Sequence, residues 1–179
     1  MATTNRRTFS LQTPADLYRK LNFEALALHN NPPENLDERA YAVMNAITTA
    51  WQMKDWVYSA LRNAGDLPRL DAFANRHIKD RGDFGIFLCE KSPWMDVCFQ
   101  LATAAKHFGV WQDTGLEVIT TIEFEVEPET TVHELHGQDQ IMVRTPQNSI
   151  SGPDLVMLLA YLWSRALPEL GLLDPRDAE

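Results

Sequence analysis

Cysteine is scarce in this chain: only Cys89 and Cys98 occur among 179 residues. Two thiols are too few for a disulfide framework, their spacing is not that of a metal site, and reduced cysteines are the expectation. Long apolar runs are missing as well. None approaches the length of a membrane span, and the N-terminal MATTNRRTFS has no apolar signal-peptide core, so a cytoplasmic chain without membrane contact is expected. The 8 glycines are scattered and form neither G-x-G-x-x-G nor G-x-x-x-x-G-K, which removes the common phosphate-binding loops. No Gly-x-Ser-x-Gly elbow, internal repeat or low-complexity stretch occurs. Lys and Arg are absent between Lys106 and Arg144. That segment would repel a phosphate backbone, so any nucleic-acid contact has to come from the first half.

The charge that is present is unevenly placed. Residues 1–107 carry 13 Lys+Arg against 12 Asp+Glu, whereas residues 108–179 carry 3 against 13, so a near-neutral part precedes one of net charge −10. With 45% hydrophobic and 23% charged residues, the composition is that of a globular chain, and its length suits one domain that buries a core without staples. We place that domain at 13–171, between a frayed N-terminus (1–12) and an acidic tail (172–179).

The pattern is mainly helical. Thr13, Pro14 and Asp16 read as cap, first helical residue and acidic first turn of a helix running to about His29, where Asn30 to Pro33 break it. The longest helix begins near Asn35 to Asp37 and runs through Arg62 to a stop before Gly65. Leu36, Ala40, Val43, Met44, Ile47, Trp51, Tyr58 and Leu61 form its apolar stripe, and Tyr41 and Trp56 lie on the other side. Large rings on two sides make this the central helix. Lys54 interrupts the stripe, which places it at a core edge beside a carboxylate. A third helix is predicted over Arg69 to Lys79; its basic residues, interleaved with Asp71, Asp80 and Asp83, read as a solvated face.

Ser92 and Pro93 start a helix from Trp94 to Phe108, closed by Gly109. Its core stripe is Trp94, Val97, Cys98, Leu101, Ala105 and Phe108. A polar stripe of Asp96, Gln100, Thr103 and His107 faces either water or a groove. From Leu116 to Glu127 the period changes to two, giving a half-buried strand with Leu116, Val118, Ile122, Phe124 and Val126 inward and glutamates outward. Thr130 to Leu135 and Gln140 to Thr145 add two strands, a small antiparallel sheet inserted at about 115–146. Ser151 to Asp154 caps the last helix, which is apolar through Trp163 and ends at about Leu167. The fold class is therefore a bundle of four or five helices with a small sheet before the C-terminal one.

Chemistry-bearing residues are few. His133 and His136 fall in a strand-like segment, where residues three apart point to opposite faces, so they are not expected to share a metal. Cys98 lies on a core stripe and Cys89 has no activating partner nearby in sequence. Lys106-His107 remains: a histidine moves protons near neutral pH and a lysine stabilises anionic charge, although the last turn of a helix favours both for electrostatic reasons alone.

Thr49 to Val57 (TAWQMKDWV) and Cys98 to Phe108 (CFQLATAAKHF) together resemble a group of uncharacterised bacterial proteins with a TAWxxxDW helix and an ANxxKHF helix, a branch of the HEPN superfamily of helical domains. Trp51, Asp55, Lys106 and His107 match residue by residue. Active members of that superfamily are metal-independent ribonucleases that work as dimers, with an Arg placed a turn or more before a His on one helix. Here Gln100, Leu101 and Ala102 stand where that Arg would be, Thr103 replaces the group's Asn, and Phe99 replaces an Arg. The resemblance thus implies a non-catalytic interaction module with a protein partner or as a homodimer, in a toxin-antitoxin or phage-defence setting. The alternative it implies is a metal-independent ribonuclease or RNA-binding domain, with His107 as general acid or base and Lys106 on phosphate. Trp51, Asp55, Gln100 and Thr103 would line the site in either case, and neither reading calls for a cofactor or metal.

Overall fold

A computed structural model describes residues 11–104, 119–123, 140–174 and 176. Helix α1 (Pro14–Asn30) starts as its cap dictates. Thr13 Oγ1 accepts from the Asp16 N–H at 3.1 Å, and Asp16 Oδ2 accepts from the Thr13 N–H at 2.9 Å, a closed capping box. Leu11, just before the cap, packs on the core. Helix α2 (Leu36–Asn63) is capped by Asn35, whose side-chain oxygen accepts from the Asp37 and Glu38 amides. It is the centre of the fold, in contact with every other described helix.

The predicted third helix divides differently. Helix α3 (Leu67–Ala74) ends at Asn75, which takes a left-handed φ of 52°, and the chain restarts at Asp80 as helix α4 (Arg81–Lys91). Asn is one of the few side chains that tolerates that backbone, and it stops the helix five residues short of the expected Lys79. Helix α4 was not foreseen; its Asp80 side chain accepts from the Asp83 N–H at 2.9 Å, and Phe84, Phe87 and Leu88 form its buried face. Helix α5 (Pro93–Ala104) follows, and helix α6 (Gly152–Glu169), capped by Ser151, closes the bundle. Six helices are described, against an expected four or five.

Strands β1 (Ile119–Glu123), β2 (Gln140–Arg144) and β3 (Ser149–Ser151) form an antiparallel sheet in the order β1-β2-β3. Thr120 stands opposite Val143 and Ile122 opposite Ile141, and Ile141 and Val143 are buried against α2. The register puts Thr120 and Ile122 on the same face of the sheet as Val143 and Ile141, and Thr120 itself, on the edge strand, remains exposed. The expected strand at 130–135 and the residues Leu116, Val118, Phe124 and Val126 lie outside the described residues. β3 was missed, since three residues are too few to display a period, and it carries the sheet to residue 151, beyond 146. Gly152 makes its junction with α6 possible: a Cβ there would stand 3.1 Å from both Val43 methyl groups.

The core runs along α2 between α1, α5 and α6. The Trp163 indole donates to the Ala50 carbonyl at 3.0 Å, Cys98 Sγ reaches the Ile47 carbonyl at 3.5 Å, and the Tyr58 hydroxyl donates to the Lys79 carbonyl at 3.2 Å. Past α6, Leu170 and Leu173 remain in the core, the second of them within the span read as an acidic tail. Gly171, at φ 65°, sits against the Arg69 guanidinium, which donates to the Leu170 carbonyl at 3.2 Å. No described helix is long and apolar enough to cross a membrane.

Candidate functional site

Helices α4 and α5 lean on the same side of α2 and leave a groove of about 590 Å3 between the three. Its floor is an aromatic pair: the Trp51 and Phe99 rings lie 5.1 Å apart, tilted by 45°. Ile86 forms an apolar wall on α4, and Gly82, Gly85, Cys89 and Glu90 complete that side. Gly85 allows the close approach of α4 to α2, since a Cβ there would stand 3.3 Å from Lys54 Cδ and 3.4 Å from the Trp51 ring. Lys54 and Asp96 are the remaining lining residues.

Lys54 resolves as its break in the apolar stripe implied. Its side chain is only 12% exposed, its ammonium is 2.8 Å from Asp55 Oδ1 and 5.1 Å from the centroid of the Trp51 ring, and its stem covers the groove floor. A carboxylate and a ring face replace the water that burial removes. Glu90 is held 2.8 Å from Arg76, whose guanidinium lies over Phe87. Asp96 is different. Burial raises the pKa of its carboxyl, and a hydrogen bond from the Gln100 side chain opposes that rise. Burial first, then the charges of Asp96 and Glu90, push the Cys89 thiol up to about 12 against the opposing effect of Lys54. At neutral pH that thiol stays protonated and is a poor nucleophile. Cys98, fully buried, is raised further by the same desolvation.

The residues singled out in the sequence meet this geometry unequally. Trp51 forms the floor, and Asp55 anchors Lys54 at the edge. The expected packing of α5 on the Trp51-Asp55 helix is present, carried by Phe99 on Trp51. Gln100 is buried at 7% exposure instead of facing water or the groove, and its link to Asp96 explains how an amide is tolerated there. Thr103 is half-buried, one turn beyond Phe99 on the same helix. Lys106 and His107, and the pair His133 and His136, lie outside the described residues. Among the described residues no group of three His, Cys, Asp or Glu side chains is arranged to hold a metal ion.

Sequence reasoning missed Gly85, Ile86 and Glu90 because it missed α4. The signal was available: an Asp at 80 with an Asp three residues on, then Phe84, Phe87 and Leu88 at helical spacing. The basic segment around α3 reads as expected, with Arg69 at 3.0 Å from Asp66, Arg76 at 2.8 Å from Glu90, and His77 at 2.9 Å from Asp71. Arg69 and Arg76 are matched locally by carboxylates instead of forming part of a phosphate-binding stripe. No family model, curated protein or solved structure matches this chain.

Proposed function

We propose that this chain is a non-catalytic interaction module of the HEPN-like helical kind, which docks a segment of a protein partner in the groove between α2, α4 and α5. One observation carries the reading: a half-open groove with a Trp51-Phe99 floor and an Ile86 side chain left 59% exposed at its rim. Aromatic rings paired beneath an exposed aliphatic side chain are what a partner's side chain packs against, and rings of this kind dominate interface energetics. The missing Arg before His107 supports the non-catalytic half of the proposal, as does the neutralisation of Arg69 and Arg76 by neighbouring carboxylates. The resemblance extends the setting to toxin-antitoxin or phage-defence systems.

A photo-crosslinking side chain placed at position 86 in cells of the source organism tests this reading. The expected result is a protein adduct of one defined mass that Phe99→Ser removes, and that the same probe at the exposed Tyr161 position does not form. A nuclease-sensitive adduct, or RNA cleavage by the wild type that His107→Ala abolishes, would replace the proposal with the ribonuclease reading.

A further inference from the structure

The ions around the groove do not balance. Among the described residues they are Lys54 with Asp55, Arg76 with Glu90, and Asp96, and the first two couples are closed at 2.8 Å each. Asp96 is left with the Gln100 amide as its partner. A carboxylate partly removed from water and facing no described cation has only the Gln100 amide and its place in the first turn of α5 to stabilise it, which leaves room for an arriving cation. The face of Trp51 is already taken by the Lys54 ammonium at 5.1 Å. What stays open to an arriving group is therefore apolar surface at Phe99 and Ile86 and negative charge at Asp96, all lining one groove.

We infer that the partner segment docking in this groove presents a lysine or arginine next to an apolar residue, the apolar side chain lying on Phe99 and Ile86 and the cation meeting the Asp96 carboxylate. This rests on the interaction-module reading and names the chemistry of its occupant. The volume, about 590 Å3, is in the range of sites that bury a ligand of a few side chains. A charge-assisted bond from an ammonium or guanidinium would complete the carboxylate, while the closed pair of Lys54 and Asp55 keeps Lys54 from repelling the incoming cation strongly. An anionic segment meets the opposite situation, because it would have to break that pair to find a cation.

Blocked hexapeptides of leucine and serine with one central Lys, Arg, Gln or Glu, titrated into the full-length protein and followed by the NMR signals of the Trp51 indole and the Gly85 amide, test the assignment. The Lys and Arg peptides are expected to bind about tenfold more tightly than the Gln peptide, with the Glu peptide weakest. Asp96→Asn, which preserves the Gln100 contact, should bring the Lys and Gln peptides within about twofold of each other. Equal binding of Lys and Gln peptides to the wild type, or tightest binding of the Glu peptide, would overturn the inference. So would shifts caused by n-butylamine at concentrations where no peptide binds, which would make the groove a small-amine site. These outcomes separate from failure of the docking reading itself: an adduct at position 86 together with charge-blind peptides sinks only the cation, whereas loss of both sinks the interaction module.

Discussion

The two flanks of α2 solve the packing problem in different ways. Towards α1 and α6 the helix presents Ala46, Ala50, Met53 and Val57, all fully buried, and the small residues let Trp163 of α6 come close enough to donate to the Ala50 carbonyl. Towards α4 and α5 it presents Trp51 and Lys54, and α4 comes close to them only at Gly85. Small against large fills space. Trp51 and Lys54 set between Phe99 on one helix and Gly85 on another leave a groove. The difference shows how one helix serves as structural axis on one side and as a binding floor on the other.

Substitutions on the two flanks should therefore differ in kind as well as size. The largest loss is expected for Trp163→Ala, about 3 to 5 kcal/mol in a denaturant melt, because the ring is 1% exposed and its removal opens a cavity against Ala50. A cost below about 1 kcal/mol would mean that this flank is no better packed than the groove side. Gly152→Ala comes next, at about 1 to 3 kcal/mol, since the new methyl meets both Val43 methyl groups and the sheet junction must shift. On the groove flank Lys54→Met should cost less than about 1.5 kcal/mol, the aliphatic volume being retained and the ion pair with the 39%-exposed Asp55 being weak in water. A larger loss would show that the ammonium itself holds α2 to α4.

Asp96→Asn has the smallest expected effect and the opposite sign. Burial raises the folded-state pKa of Asp96, so the folded protein binds the proton more tightly than the unfolded chain does. Its ionised form then subtracts from stability at neutral pH. That penalty shrinks as pH falls through the raised folded value and is gone below about 3.9, the unfolded carboxyl value. The variant should melt no lower than wild type at neutral pH, with the difference vanishing towards acid. A variant less stable than wild type at pH 7 would make Asp96 a structural charge and remove the reason for assigning it to a ligand.

Much of the scaffold was legible because its determinants are local. Thr13 with Asp16, Asn35 with Asp37, and Ser151 with Asp154 act across two or three residues, and each starts its helix where the sequence places it. The position of Lys54 beside a carboxylate followed from one charge in an apolar stripe. By contrast α4 was hidden by Gly82 and Gly85, which lower helix propensity, and by basic residues that made Arg69 to Lys79 look continuous. Asn75 overruled that continuity with a single backbone angle.

By itself the amino-acid sequence determined the mainly helical class, the centrality of α2 and most helix starts, since caps and periodicity are read within a few residues. Only the tertiary structure decided that Trp51, Gly85, Ile86, Asp96 and Phe99 share one groove and that Gln100 lies beneath it. Those residues come from three helices, and their spacing depends on how side-chain volumes add up between helices, a quantity that no period along one strand of sequence contains.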